Sequence, residues 1–265
     1  AEDSAAAVET FQGNVKHFIH ISTAAVYVIT KDFPSPTREE DFDRPLIHKP
    51  MKVKRIWDYG YDKRKCEEVL TEAYREQDFP ISMFRLPIVM GERDYTLRAY
   101  SYFLRLQDGG PTILPDGGLN VFTHVYQDDI VRTIASNLMN EITFGEAYNL
   151  AQNEMMTLRA FVKEASEVMG NSVELVDIPS DLLEKASLGT LFSPLFHRRP
   201  FVLDVHKAEK DLGFTSTPIR SWIEKTILWF QSEYKGEPPE DYKKRHKELE
   251  FVDRYKNAIH DVLKE

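Results

Sequence analysis

A chain of 265 residues that is 42% hydrophobic and 29% charged has the composition of a globular protein, not of a disordered or fibrous one. Its formal net charge of −9 disfavours bulk binding to nucleic acid, which requires a basic surface. The single cysteine, Cys66, excludes an internal disulfide bond and favours a reducing, cytoplasmic location. No apolar run approaches the ~20 residues of a membrane span, and the start AEDSAAAVETFQG lacks the pattern of a signal peptide.

The first part of the chain alternates predicted helices and strands. A short helix ends at Gly13, an apolar strand follows over 15–22, and residues 30–56 form a proline-bearing loop. Apolar residues at helical spacing predict a helix over 59–77, and the run 79–91 predicts a strand that ends at a glycine. Strand, helix and strand in this order predict a parallel α/β sheet.

The rest of the chain continues this alternation. The predicted elements are helices over 96–107, 157–169, 204–214 and 218–234, and strands over 145–152 and 172–179. Residues 112–140 are predicted to form a turn-rich segment, a short strand and a helix capped near Asp128 or Asp129. Residues 180–202 are predicted to be irregular, and a charged amphipathic helix follows Pro239.

Two overlapping tyrosine–lysine pairs lie within WDYGYDKRKCEEVL, residues 57–70. Tyr59 and Lys63 are four residues apart, as are Tyr61 and Lys65, so each pair shares one face of a helix. A free tyrosine has a pKa near 10, and a neighbouring ammonium favours its phenolate form. With a serine or threonine hydroxyl opposite, such a pair makes a general acid/base site beside a carbonyl or carbinol. An ordinary charged helix fits the same spacing, and the spacing does not choose between the pairs.

Five motifs occur in a defined order along the chain. They are HISTAAVY at 20–27, YGYDKRKCE at 59–67, RLPIVMG at 85–91, GEAYNL at 145–150 and DVHKAEKDLGF at 204–214. Together they resemble the extended short-chain dehydrogenase/reductase family, also called the NAD-dependent epimerase/dehydratase family. The resemblance runs from about residue 5 to about residue 234. It implies an α/β fold: the C-terminal part of a Rossmann-like doubly wound parallel sheet plus a smaller α/β substrate-binding region.

The resemblance distinguishes the two tyrosines. Glu67 lies eight residues after Tyr59, as the family pattern requires, whereas Tyr61 has Val69 at that distance. The resemblance therefore implies that Tyr59 donates or accepts the proton. It also implies that Lys63 tunes the phenol and binds the ribose of the cofactor.

Further site residues are expected at the ends of the strands. The resemblance implies that Thr23 orients the substrate oxygen, with Ser22 as the runner-up, and that Leu86 and Pro87 line the nicotinamide. Arg199 is a candidate for binding an anionic substrate group through bidentate contacts, against the alternative of a solvated surface residue. The eight histidines show no metal-ligand spacing, so no metal site is predicted.

The sequence departs from the family at its start. The family begins with a strand, a G-x-x-G-x-x-G loop and a helix, whose backbone reaches the cofactor pyrophosphate. The 12 glycines of this chain form no such cluster. We therefore expect a piece of a longer protein that lacks about two or three N-terminal βα units, or else a protein that has lost dinucleotide binding. The edge of the strand at 15–22 would then be exposed.

Three regions are expected along the chain. They are a partial NAD(P)-binding, Rossmann-like domain over 1–110, a mixed substrate-binding region with returning Rossmann elements over 111–234, and a charged amphipathic helix over 235–265.

Three classes of function remain from the sequence, and the third of them is a structural or assembly subunit that uses the terminal helix. The first is an enzyme that uses NAD or NADP to epimerise, dehydrate or reduce a nucleotide sugar or related small molecule, with a homodimer suggested by analogy. The second is a non-catalytic, RNA-associated or regulatory binding protein on the same fold, because a fold does not fix a function. The intact residues Thr23, Tyr59 and Lys63 favour the enzyme. The basic run KKRHK at 243–247 is flanked by acidic residues and is more typical of a solvated helix face.

Overall fold

Helices and strands alternate along most of the chain. The computed structural model describes residues 1–50, 54–188, 193–196 and 198–264. Within these ranges the α-helices are α1 (Glu2–Phe11), α2 (Ala25–Val28), α3 (Lys54–Gln77), α4 (Arg98–Gln107), α5 (Gln127–Ser136), α6 (Leu158–Met169), α7 (Ser180–Lys185), α8 (His206–Leu212), α9 (Ile219–Ser232) and α10 (Arg245–Val262). The strands are β1 (Phe18–Thr23), β2 (Ile81–Leu86), β3 (Ile88–Met90), β4 (Thr112–Pro115), β5 (Val121–Phe122), β6 (His124–Tyr126), β7 (Ala147–Asn149), β8 (Met156–Thr157) and β9 (Leu175–Ile178). Residues 51–53 of the predicted loop, and 189–192 and 197 of the predicted irregular segment, lie outside the described residues.

Two elements predicted for the first part of the chain differ in detail from those in the structure. The strand predicted over 79–91 is divided into β2 and β3 at Pro87, which has no backbone N–H to donate to a ladder. The loop predicted over 30–56 contains a 3-10 helix at Glu39–Asp43, and α3 begins before the loop was expected to end.

Two predictions for the later part of the chain are wrong. The segment 180–202 begins with α7, which follows Pro179 at a φ of −55°, a value that suits the start of a helix. Neither Asp128 nor Asp129 caps α5, because both lie inside its first turn. The buried Asp129 instead accepts hydrogen bonds from the backbone N–H (2.8 Å) and Oγ1 (2.6 Å) of Thr217.

The chain divides into two compact units, each built from separate segments. The first unit consists of Ala1–Val89, Thr123–Asn153 and Phe201–Thr217. The second unit consists of Met90–Phe122, Glu154–Pro200 and Pro218–Glu265. The units therefore interleave along the sequence, and the three regions expected from the sequence stay a prediction about domains.

A parallel sheet in the order β1-β2-β7 forms the centre of the first unit. All six residues of β2 are buried, which is typical of a central parallel strand covered on both faces. This confirms the predicted α/β class with a parallel, Rossmann-like sheet. Within the described part of the chain, β1 is an edge strand of this sheet, and Ile21 on it is 43% exposed.

Two apolar clusters cover the two faces of this sheet. Ile81 and Met83 of β2 belong to a cluster with α1 and α3, whereas Phe84 and Leu86 belong to a second cluster with β7 and α8. Alternate residues of a strand point to opposite faces, so the clusters lie on opposite sides. Each large apolar side chain buried in them stabilises the fold by about 1.5–3 kcal/mol. By the same alternation, Arg85 of β2 points to the face that α3 covers.

The second unit has a core of its own. Helices α6 and α9 meet through Phe161 and Trp222, whose rings stack at 6.4 Å between centroids. Strands β4 and β9 pair in parallel, and Val252 of α10 packs on them in a buried cluster. A fully buried ion pair joins Arg105 of α4 to Glu248 of α10 at 3.0 Å. The charged terminal helix is thus anchored to this unit by both apolar and ionic contacts.

None of the described helices combines the length and the apolar character needed to cross a membrane.

Candidate functional site

Helix α3 carries its two tyrosine–lysine pairs on different faces. The rings of Trp57 and Tyr61 stack at 4.8 Å between centroids, and Lys65 Nζ lies 5.5 Å from the centroid of the Tyr61 ring. A step of two residues rotates a helical side chain by about 200°. Tyr59 and Lys63 therefore point away from this aromatic stack. The two pairs have different surroundings, although the sequence spacing treats them alike.

Lys63 connects α3 to the carboxyl end of β1. Its Nζ donates a hydrogen bond to the Ile21 carbonyl oxygen at 3.2 Å. Because α3 links two parallel strands, it runs back against them, and its N-terminal residues lie towards their carboxyl ends. From Lys63 back to Tyr59 the helix rises ~6 Å, which is close to the ~7 Å that β1 covers from Ile21 to Thr23. We therefore expect Tyr59, which is 50% exposed, to lie near the level of Thr23.

Gly60 lets α3 approach the turn that follows β1. A Cβ atom at this position would lie 2.6 Å from the Ala25 carbonyl oxygen and 3.1 Å from Ile29 Cγ2. Real Cβ atoms do not come that close to backbone oxygen, so only glycine fits without a shift. The contact holds the first turns of α3 next to the end of β1.

Gly60→Ala is expected to lower the free energy of unfolding by about 1–3 kcal/mol, because the added methyl overpacks the contact with Ala25. The same change inside an unobstructed helix stabilises a protein by about 0.5–1 kcal/mol, so the sign of the effect reports the close approach. Urea unfolding followed by circular dichroism measures the difference. A variant more stable than the parent would contradict the packing of α3 against this turn.

Three other residues predicted for the site lie together at the strand ends. Thr23 and Leu86 are register partners in the last positions of β1 and β2, and Pro87 follows directly. The half-buried Thr23 accepts a hydrogen bond from the backbone N–H of Ala25 at 3.2 Å through Oγ1. The carboxyl ends of these parallel strands therefore carry one polar and two apolar residues of the predicted site.

Ser22 differs from Thr23 in its surroundings. It is buried, and its Oγ donates to the Glu67 carboxylate. The same carboxylate accepts from Arg85 through Nε (3.0 Å) and Nη2 (2.7 Å). These mutual contacts were not predicted from the sequence. The available signal was a charged residue inside the apolar run of β2, together with an acidic residue on the apolar side of α3.

The Arg85 guanidinium extends this network. Its Nη1 donates to Tyr27 Oη (2.7 Å) and to the Glu39 carbonyl oxygen (2.9 Å), and Tyr27 donates onward to Asn149 Oδ1 at 2.8 Å. Burial raises the pKa of the Tyr27 phenol, which stays a neutral donor. Burial lowers the pKa of Arg85, but the charges of Glu67 and Tyr27 and the hydrogen bonds to them together outweigh burial and raise that pKa. Tyr27 therefore stays neutral and Arg85 stays charged near neutral pH.

His20 lies on β1 below the network. Burial lowers the pKa of its imidazole, and the charge of Lys63 lowers it further. His20 is therefore neutral near pH 7. In the described ranges, no group of three or more His, Cys, Asp or Glu side chains is arranged to hold a metal ion.

A cavity of about 530 Å³ opens along α3 in the first unit. Glu67 and Arg85 line it, together with Glu39, Thr71 and Arg75, among others. Tyr59, Lys63 and Thr23 are not part of its lining. This cavity is therefore separate from the predicted acid/base residues.

Arg199 belongs to the second unit, whereas the site residues described above belong to the first. It is exposed and makes no hydrogen bond or ion pair with the described part of the chain. Its neighbour Arg198 is engaged with Asp181 (3.1 Å) and Glu184 (2.7 Å) of α7. Of the two arginines, Arg199 has the guanidinium that is available to a ligand.

The first part of the chain matches a family model described as the NAD dependent epimerase/dehydratase family. The match covers residues 5–151, which is more than half of the chain. Among curated proteins, YbjS of Escherichia coli K12, described as uncharacterised, is 24% identical over 245 residues. That alignment covers 82% of this chain and 67% of the relative.

Solved structures of the same fold include nucleotide-sugar enzymes. UDP-glucuronic acid 4-epimerase from Bacillus cereus in complex with NAD has a TM-score of 0.66 and 19% identity, over 88% of this chain and 67% of that one. UDP-glucose 4-epimerase from Thermotoga maritima with UDP-glucose has a TM-score of 0.65 and 24% identity, over 86% and 68%. The dTDP-glucose 4,6-dehydratase from Streptomyces venezuelae with NAD bound has a TM-score of 0.61 and 20% identity, over 87% and 65%. At these identities the likeness shows the fold, and the chain spans about two thirds of the length of these proteins.

Proposed function

Because the chain belongs to the NAD-dependent epimerase/dehydratase family, we propose that it is a nicotinamide-dependent epimerase or dehydratase of a nucleotide sugar. The observation that carries the proposal is the bond from Lys63 Nζ to the carbonyl oxygen of Ile21, two residues before Thr23, on a helix where Tyr59 is half exposed to solvent. In open α/β sheets ligands bind outside the carboxyl ends of the strands. The structural relatives with bound NAD or UDP-glucose support the same class of substrate and cofactor.

The residues at this end of the sheet fit the nicotinamide half of a dinucleotide. An ammonium group has three donors, and Lys63 uses one of them on the Ile21 carbonyl oxygen, which leaves donors for the hydroxyls of a ribose. Leu86 and Pro87 would provide an apolar surface for the nicotinamide ring. When bound, the nicotinamide supplies the acceptor and donor of hydride. The choice between NAD and NADP depends on residues beyond this half of the site.

The acid/base roles are assigned to three side chains of this chain. Thr23 would hold the reacting oxygen of the substrate through its hydroxyl. Tyr59 would take the proton from that oxygen, or return it, at its phenolic oxygen. Lys63 would stabilise the phenolate by its charge, which makes the proton transfer feasible near neutral pH. Since the hydroxyl of Ser22 is directed to Glu67, we assign the substrate contact to Thr23 in preference to Ser22.

Other parts of the expected biochemistry belong to the same proposal. Arg199 would bind an anionic group of the substrate, because a guanidinium matches the geometry of phosphate and carboxylate oxygens. The protein would act as a homodimer in the cytoplasm. These assignments depend on family analogy and composition.

An RNA-associated role has less support. In the basic run at 243–247, Arg245 is buried and bonded to Asp108 at 2.9 Å and to Glu248 at 2.8 Å. Lys243 pairs with Glu240 at 2.7 Å. Two of the four lysine and arginine side chains of this run are therefore paired with carboxylates, which leaves less positive charge to displace counterions from a nucleic acid.

The proposed function predicts cofactor binding and turnover by the full-length protein. Calorimetric titration with NAD and with NADP separately is expected to show micromolar binding of one of them. The loaded protein would then be incubated with UDP-glucose, UDP-glucuronic acid and dTDP-glucose, with products identified by nuclear magnetic resonance. Epimerised or dehydrated product from at least one nucleotide sugar is the expected result. Failure to bind either dinucleotide would contradict the proposal.

A further inference from the structure

Glu67 stands on the same helix as the proposed catalytic pair, four residues after Lys63. It is 1% exposed, although it carries a carboxylate. Burying a charge is costly unless it is paired and hydrogen-bonded, so a residue retained under such conditions has defined partners. Here those partners are Ser22 of β1 and Arg85 of β2, which are also buried. One carboxylate therefore joins the helix to two strands of the sheet.

We propose that Glu67 is a positioning residue for the acid/base site. By binding Ser22 and Arg85, its carboxylate sets the position of α3 along the end of β1. It thereby sets the spacing between Tyr59 and Thr23. The catalytic consequence of this spacing rests on the proposed function, whereas the structural coupling does not.

The hydrogen bonds of the Glu67 carboxylate restrict both the angle and the distance between α3 and the two strands. Oε2 accepts from Arg85 Nη2 at 2.7 Å and from Nε at 3.0 Å, and Oε1 accepts from Ser22 Oγ. An arginine fork that donates two bonds to one carboxylate restricts the angle of the contact. Ser22 and Arg85 are also register partners, so both strands are bound at the same level of the sheet. Since Thr23 follows Ser22 directly, a slip of α3 along β1 breaks these bonds and moves the helix relative to Thr23.

Arg85 cannot follow Glu67 if the helix moves. Its Nη1 is bonded to Tyr27 Oη and to the Glu39 carbonyl oxygen, which lie on other segments of the first unit. Within the described part of the chain, the other polar contact between α3 and β1 is the single bond of the long Lys63 side chain. The contact made by Glu67 is shorter, buried and held from two strands. It is the contact best suited to define the helix position.

Ser22→Ala tests the coupling with little risk to folding, because it removes one hydroxyl and leaves the Glu67–Arg85 pair intact. The matched control is Ser82→Ala, which removes the hydroxyl of a similarly buried serine of β2 that is bonded to His17 and Thr143, both outside the two peptides compared. Hydrogen exchange by mass spectrometry would be compared for peptides 18–27 and 57–66. Ser22→Ala is expected to speed exchange in both peptides by roughly tenfold relative to the rest of the first unit, as for the loss of one buried hydrogen bond. Ser82→Ala is expected to leave the exchange rate of both peptides, relative to the rest of the first unit, as it is in the parent.

Steady-state kinetics give the second readout, at a temperature where all variants are folded. Ser22→Ala and Glu67→Gln are expected to lower kcat by about 10–100-fold while KM changes little, because misplacement of reacting groups by ~1 Å can cost about 10²-fold. Ser82→Ala is expected to keep the parent kcat. A purely stabilising role for Glu67 would leave kcat unchanged in the folded variants, and this result would overturn the proposal.

The two proposals fail in different ways. If the parent protein turns over no nucleotide sugar, the proposed function fails, and the exchange experiment alone decides whether Glu67 couples α3 to β1. If exchange in peptides 18–27 and 57–66 is the same in Ser22→Ala and Ser82→Ala, the positioning role is refuted, whatever the activity of the parent.

Discussion

Tyr59→Phe is expected to reduce kcat of the full-length protein by about 10²–10⁴-fold, the usual contribution of a general acid/base group. The change removes only the phenolic hydroxyl of a side chain that is 50% exposed, so the free energy of unfolding is expected to change by less than about 0.5 kcal/mol. Cofactor affinity is expected to fall only slightly, because Lys63 retains its donors for the ribose. Turnover of the best nucleotide sugar measures the change in kcat, and NAD titration measures the change in cofactor affinity.

Tyr61→Phe is the matched control. It removes the same hydroxyl two residues along α3, from a ring that stacks on Trp57 instead of lying beside β1. Its kcat is expected to equal that of the parent. A loss of activity in Tyr61→Phe together with retention in Tyr59→Phe would transfer the catalytic role to the second pair.

Glu67→Leu alone is expected to lower the free energy of unfolding by about 3–5 kcal/mol. Glu67 and Arg85 form a buried ion pair at 2.7 Å with side-chain exposures of 2% and 5%. Removing one partner of such a pair leaves an uncompensated charge in the interior, which costs more than the pair itself contributes. Urea unfolding of the variant against the parent measures the loss. This large cost is the reason why the positioning role is tested with Ser22→Ala and Glu67→Gln.

The double variant Glu67→Leu, Arg85→Leu separates the cost of the uncompensated Arg85 charge from the loss of the ion pair itself. With both charges replaced by apolar side chains, no buried cation remains, and the double variant is expected to be more stable than Glu67→Leu alone. A double variant less stable than Glu67→Leu would show that the unpaired Arg85 is not the source of the destabilisation.

The sheet and its main helix could be predicted from the sequence because their signals are local. The apolar run of β2 and the helical spacing of Leu70 and Ala73 in α3 arise from residues close together in the chain. The end of α1 shortly before Gly13 was also readable, because glycine adopts the positive φ of 72° found at that position. Boundaries were less accurate where a single residue changes the backbone, as at Pro87.

The polar network could not be predicted because its members are far apart in sequence. Ser22 and Glu67 are separated by 45 residues, and Glu67 and Arg85 by 18. Each residue taken alone fits a surface position as well as a buried one. Only the packing of α3 on the sheet brings the three side chains together. The interleaving of the two units was unreadable for the same reason, since each unit is built from three separated segments.

The choice between the tyrosine pairs shows what the structure adds to a motif. Sequence spacing left Tyr59 and Tyr61 equivalent, and the family pattern favoured Tyr59 through Glu67. The structure supplies a physical difference, because Tyr61 stacks on Trp57 while Lys63 reaches the end of β1. The catalytic role of Tyr59 stays a prediction.

The most direct measurement is the appearance of reduced nicotinamide when NAD-loaded, full-length protein is mixed with a nucleotide sugar in a stopped-flow spectrometer. The proposed site predicts a transient rise in the absorbance of reduced nicotinamide for the parent and for Tyr61→Phe, and its loss in Tyr59→Phe. An equal rise in Tyr59→Phe would contradict the assignment of the proton transfer to Tyr59. No rise in the parent at saturating cofactor and substrate would contradict nicotinamide-dependent chemistry at this site.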